Sequence, residues 1–185
     1  MYFYNIVLSI KSSNVQMNHR AHKILSEMTD YPLHIGVTET GSATSGRLKS
    51  AIGIGALLLE GIGDTLRVSL TGDPVNEIIL AKEILKATGI VNKGINIISC
   101  PTCGRCSVDL EKISDEIEEK LKDIDKTLTL SIMGCEVNGP GEARESDLGI
   151  ACGKGKILVF KKGEIIKKTD EENVVDILIE IINQW

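Results

Sequence analysis

The sequence predicts two successive architectures: an α/β layer through about residue 90, then an α+β fold to the end. Three observations carry this. In the first half, short apolar runs alternate with stretches whose apolar residues recur at helical spacing. In the second half the order becomes strand, helix, strand, hairpin, helix. Between the two regimes lies a glycine-bounded stretch, residues 89–94, where the domain boundary is expected.

The elements follow in order. Residues 4–10 read as a strand, followed by a helix over 14–28 in which Met17, Ala21, Ile24, Leu25 and Met28 share a face. Residues 33–38 read as a second strand, with a helix from 44 to about 60. A third strand over 65–71 runs into Asp73-Pro74, an N-cap followed by proline, and a helix through Val75, Ile78, Ile79 and Leu85 that stops at Gly89. Three consecutive βα units imply parallel strands with right-handed crossovers. Three units are few for a sheet that needs cover on both faces, so the first half is expected to be the tail of something larger.

In the second half, residues 95–99 form a short strand ending at Cys100. Ser107 is expected to cap a helix whose Leu110, Ile113, Ile117 and Leu121 lie on one face. Residues 128–133 form a second strand, ending at Gly134-Cys135. Residues 157–160 and 164–168 pair as a hairpin through Lys162-Gly163. Thr169 with Glu172 has the spacing of a capping box before a closing helix of Val174, Val175, Leu178, Ile181 and Ile182.

Composition narrows the function. Of 185 residues, 42% are hydrophobic and 25% charged, which suits a packed globular chain. The net charge of -5 is the wrong sign for a general nucleic-acid binder, and 3% aromatics leave little for base stacking. The longest uncharged apolar stretch, residues 51–59, is far too short to span a bilayer, and the N-terminus lacks the form of a signal peptide. A soluble, cytoplasmic protein is expected, with no membrane and no nucleic-acid partner.

Five cysteines without a secretion signal argue against a disulfide framework. Four of them, Cys100, Cys103, Cys106 and Cys135, fall between positions 100 and 135, at the ends of two predicted strands. Adjacent strands ending together would bring both loops together in space. Thiolates suit soft metals, and C-x-x-C spacing lets two sulfurs grip one cluster. Glycines 134, 139 and 141 let the backbone wrap closely. An iron–sulfur site is favoured; a zinc site and a C-x-x-C redox dithiol remain alternatives. Cys106 would complete four sulfurs with 100, 103 and 135, whereas Cys152 reads as a small buried residue.

These segments also carry a resemblance. SCPTCGR (99–105), MGCEVNGPGEA (133–143) and DLGIACGKG (147–155), with LSIKSSN (8–14), IGVTETG (35–41) and GDTLRVSLTGDP (63–74), closely resemble the 4-hydroxy-3-methylbut-2-enyl diphosphate synthase family of the non-mevalonate isoprenoid pathway. The resemblance covers essentially the whole chain. It implies the last three βα units of a TIM barrel (residues 1–90) followed by a small α+β [4Fe-4S] domain (residues 91–185). Compared with the family, about five N-terminal βα units are missing, together with several arginines that the family places on the diphosphate. Three strands cannot close a barrel, so activity of these residues alone is not expected.

By the same resemblance, Cys100, Cys103, Cys135 and Glu142 are the cluster ligands, and Cys106 becomes a bystander. A carboxylate is a harder donor than a thiolate and leaves iron more readily, which makes room for a substrate oxygen. Asn138 is a polar contact to substrate. Lys11, Glu39, Arg67 and Ser69 fall at or near strand ends, where barrel enzymes place their chemistry. Lys11 and Arg67 would neutralise phosphate, Ser69 would contact substrate, and Glu39 would be the acid, provided desolvation raises its pKa. His19 and His22 are expected on the surface, and His34 as a hydrogen-bonded core histidine.

The implied reaction is the two-electron reductive ring opening of 2-C-methyl-D-erythritol 2,4-cyclodiphosphate, with a hydroxyl leaving as water. Ferredoxin or flavodoxin would supply the electrons. A homodimer is implied, in which one subunit's cluster domain closes the other's barrel and excludes water. A non-catalytic iron–sulfur electron-transfer or structural module is the alternative.

Overall fold

The computed structural model describes residues 4–41, 43–106, 108–122, 124, 126–135, 141, 145–153 and 155–185. The chain forms two compact units, Met1–Asn92 and Lys93–Trp185. No helix among the described residues is long and apolar enough to cross a membrane.

In the first unit, α1 (Val15–Met28) starts at Asn14, whose side chain accepts a hydrogen bond from the Met17 backbone N–H at 2.9 Å. Its inward residues are Asn18 and His22 rather than the apolar set at helical spacing: Met17, Ile24 and Met28 are exposed. His22, expected on the surface, is fully buried, with Nδ1 2.8 Å from the Asn18 carbonyl one turn earlier. Periodicity defines a face of a helix, but the neighbour that covers it decides which face is buried.

Strands β1 (His34–Ile35) and β2 (Thr65–Leu66) are parallel, pairing His34 with Thr65 and Ile35 with Leu66. Both are shorter than the extended runs predicted. The strand expected over 4–10 reduces to a single parallel bridge, Leu8 to Leu33. Leu8 donates to Pro32 O and accepts from His34 N at 2.9 and 2.8 Å. Apolar alternation signals an extended chain, whereas a strand also requires a partner in register along its length. Helices α2 (Ala43–Leu59) and α3 (Val75–Ala87) supply Ile54, Leu57, Leu80 and Ile84 to a core with Leu33, Ile35 and Val68. Asp73 accepts from the Val75 N–H at 2.9 Å, and α3 ends where Gly89 turns left-handed at φ 74°.

The second unit is a five-stranded sheet in the order β3-β4-β5-β6-β7. Strands β3 (Ile95–Ser99), β4 (Leu128–Met133) and β5 (Leu148–Gly153) are parallel; β6 (Lys156–Lys161) and β7 (Glu164–Thr169) continue antiparallel. Helices α4 (Leu110–Leu121) and α5 (Val174–Asn183) pack into one core with alternate residues of β4, β5 and β6. Lys162 and Gly163 both have positive φ (49° and 82°), the twist that a two-residue hairpin demands.

Three sequence expectations change here. The central strand β5 escaped prediction because its Gly149, Ala151 and Cys152 look like loop residues. Small residues are what the packing needs there, since a Cβ on Gly149 would collide with the Ser131 hydroxyl on β4. The cap of α4 is Asp109, which accepts from the Lys112 N–H; Ser107 lies outside the described residues. Thr169 is no cap, because it ends β7 opposite Ile157; α5 starts only at Val174, and Asp170 accepts from the Asn173 N–H at 3.1 Å.

Candidate metal centre and a basic strand face

The cysteines are positioned by parallel pairing. Ser99 on β3 lies opposite Ile132 on β4, so both strands release their chains at the same end. Cys100 continues the ladder by one bond, its N–H donating to Ile132 O at 3.0 Å. Cys135 follows β4 and is buried; Cys100 is half-buried and Cys103 exposed. After Cys103 the chain turns tightly, with the Cys106 N–H donating to Cys103 O at 2.9 Å. This turn sets Cys106 against the second loop: a Cβ on Gly134 would lie 2.6 Å from Cys106 Sγ. Glycine beside Cys135 is thus a condition of the loops meeting.

The thiols differ in character. Arg105 lowers the Cys103 pKa, first through its backbone N–H and then through its side chain, so the thiolate is favoured there. Cys152, fully buried on β5, is pushed up to about 12 by burial and by nearby Cys106, Glu171, Cys100 and Cys135, and stays a packing thiol. Among the described residues, no three His, Cys, Asp or Glu side chains already stand together as a metal site. Glu142 and Asn138, expected as ligand and substrate contact, lie outside the described residues.

The first unit carries a separate feature. Strand alternation sends Leu33 and Ile35 into the core with the helices, leaving His34 and Gly36 on the opposite side. Lys11 Nζ is buried without a hydrogen-bond partner among the described residues, and a Cβ on Gly36 would come within 2.6 Å of it and collide with the Arg67 carbonyl. Burial, and then the Arg67 charge, hold Lys11 below its usual pKa. His34 Nδ1 lies 2.8 Å from Thr65 Oγ1, and burial, Lys11 and Arg67 disfavour its protonation. A desolvated ammonium, a guanidinium and an imidazole whose protonation is disfavoured, all in one neighbourhood, have the chemistry to receive an anion.

Glu39 is exposed just after β1, with φ of 52°, a left-handed backbone that costs roughly 1–2 kcal/mol for a residue with a Cβ. The next residue, Thr40, donates its hydroxyl to the Ser69 carbonyl and so ties the segment carrying Glu39 to the one carrying Ser69. The structure therefore gathers Lys11 and Arg67 with His34, and links the Glu39 and Ser69 segments beside them. Gly36, Thr40 and Thr65 went unnoticed in the sequence. The alternation of His34-Ile35-Gly36-Val37 was the signal that would have found Gly36.

Two family models match the chain. One described as the GcpE TIM-barrel domain matches residues 1–82, and one described as the GcpE protein C-terminal domain matches residues 96–184. Three similar curated proteins are each named 4-hydroxy-3-methylbut-2-en-1-yl diphosphate synthase (flavodoxin). The one from Clostridium acetobutylicum is 59% identical over 98% of this chain and 52% of its own length. The Clostridium perfringens protein is 60% identical over 97% and 52%. The Geobacter sulfurreducens protein is 55% identical over 94% and 49%. The chain spans about half the length of these relatives.

Proposed function

Because this chain belongs to the GcpE family, we propose that it serves the reductive ring opening of 2-C-methyl-D-erythritol 2,4-cyclodiphosphate to 4-hydroxy-3-methylbut-2-enyl diphosphate. In this reading the first unit is the last three βα units of a TIM barrel and the second is the iron–sulfur domain. The observation that carries it is the release of Cys100 and Cys135 at one end of adjacent parallel strands, with Cys106 seated on Gly134 between the loops.

The donor set fits a [4Fe-4S] cluster: three soft sulfurs, one with its thiol pKa lowered by Arg105, on loops that glycine lets approach closely. Cys100, Cys103 and Cys135 would hold it with Glu142. When bound, the cluster supplies the two electrons that the ring opening consumes. Lys11 and Arg67 receive the diphosphate, and the partnerless Lys11 ammonium gains the counter-charge it lacks. His34, held beside Thr65, has its protonation disfavoured by burial and then by Lys11 and Arg67, and its neutral ring can donate a hydrogen bond without adding charge. Glu39, exposed in this chain, gives its proton to the departing hydroxyl, which leaves as water, once bound substrate and the covering domain desolvate it, and Ser69 and Asn138 contact the substrate. Flavodoxin, which the relatives' names carry, or ferredoxin is the electron donor. A cytoplasmic homodimer in which the cluster domain closes the partner's barrel completes the reading.

Iron and acid-labile sulfide per chain, measured on anaerobically purified protein, test it. About four of each is expected for a [4Fe-4S] centre, made labile by Glu142→Ala. Zinc, or no metal, would overturn the cluster assignment. With the cluster present, a change in its EPR signal on adding the cyclodiphosphate distinguishes a substrate site from an electron-transfer module, which would leave the signal unmoved.

A further inference from the structure

We propose that Cys103 and Cys106 form a vicinal dithiol that closes to an intramolecular disulfide in the cluster-free chain when it meets a low-molecular-weight disulfide. The inference rests on the turn geometry and does not depend on the cluster reading.

Within Cys100-Pro101-Thr102-Cys103-Gly104-Arg105-Cys106, two C-x-x-C pairs compete for Cys103. The second is already folded toward itself. Its Cys106 N–H donates to Cys103 O at 2.9 Å, closing a turn over Gly104 and Arg105. Such a turn holds its end Cα atoms within about 7 Å, and disulfides span roughly 4.4–6.8 Å between Cα atoms. Gly104 has open space around it, so the turn can adjust without a clash. The first pair lacks this advantage, because Cys100 is tied to β4 through its N–H bond to Ile132 O and is packed against both hydrophobic clusters of the sheet.

The two thiols also divide the work by exposure. Cys103 is exposed and meets an external disulfide first. Cys106 is half-buried, its Sγ against Gly134 and 3.3 Å from the Val108 carbonyl, which shields it from direct attack. The chemistry balances over two exchanges. The Cys103 sulfur attacks one sulfur of the external disulfide, forming a mixed disulfide and releasing one thiol. Cys106 then rotates off Gly134 and attacks the Cys103 sulfur, forming the internal bond and releasing the second thiol. The chain loses two electrons and two protons, and the external disulfide becomes two thiols. Closure moves Cys106 off Gly134, removing the contact that joins the two loops, and occupies Cys103.

The test uses the full cluster-free chain, reduced and then incubated anaerobically with glutathione disulfide, alkylated, and mapped by peptide mass spectrometry. Loss of two free thiols, a Cys103–Cys106 link and no retained glutathione are expected. Cys106→Ser should trap glutathione on Cys103, while Cys100→Ser should still form the link. A Cys100–Cys103 link, glutathione persisting on Cys103 of the unsubstituted chain, or no reaction would overturn the proposal. The unsubstituted chain decides by itself if a variant fails to fold.

Discussion

Gly134 and Gly36 do comparable work in the two units, each leaving out the one atom that would collide with a close neighbour. At Gly134 an added Cβ meets Cys106 Sγ at 2.6 Å and Leu110 Cδ2 at 3.1 Å. Gly134→Ala should therefore lower stability by about 1–3 kcal/mol, read from the urea midpoint, because both neighbours belong to packed structure. At Lys11 the stored quantity is charge. Its depressed pKa means that folding disfavours the ammonium. That penalty is fully present below the lowered pKa and fades as pH rises from there toward 10.5. Lys11→Met should thus raise the melting temperature of the cluster-free chain below that lowered pKa, and the gain should shrink as pH is raised toward 10.5. The same substitution should abolish protection by pyrophosphate, which is expected to raise the melting temperature of the unsubstituted chain. Equal protection in both would remove Lys11 from the anion seat. Lys11 and Arg67 were legible as cations near the predicted strand ends, whereas the burial of Lys11 Nζ was not.

At the scale of elements, the helices of the second unit were the most legible part of the chain. Leu110, Ile113, Ile117 and Leu121 all fall on the buried face of α4, since a long amphipathic period leaves few alternatives. Its start was less legible, because Ser, Val and Asp all precede the first apolar residue of the pattern. Asp109→Ala should cost about 1 kcal/mol through loss of the bond to the Lys112 N–H, measured by chemical denaturation; a change near zero would mean the cap is redundant. Strand β5 shows the opposite case. A central strand buried on both sides has no polar–apolar alternation, and close packing against Ser131 requires glycine, a residue that in isolation signals a turn.

For the whole molecule, the contrast between the units matters most. Among the described residues the second has a five-stranded sheet whose larger core is built with α4 and α5. The first has a two-stranded sheet and leaves Met17, Ile24, Met28, Leu48, Ile52 and Leu59 exposed. Residues 93–185 expressed alone should unfold cooperatively as a soluble domain. Residues 1–92 alone should associate with concentration by size exclusion, since two short strands and an exposed apolar surface do not make an independent fold. A monodisperse, cooperative 1–92 would contradict that reading and the incomplete-barrel assignment with it.

The sequence by itself determined the order of helices, most of the second unit's strands and the grouping of cysteines at two strand ends, because these depend on local period and spacing. Tertiary structure alone decided that β5 is a strand, that His22 is buried and Met17 is not, that residues 4–10 keep one bridge, and that Cys106 sits on Gly134. Each of these depends on which distant backbone comes alongside, and a local pattern carries no record of its neighbour across the fold.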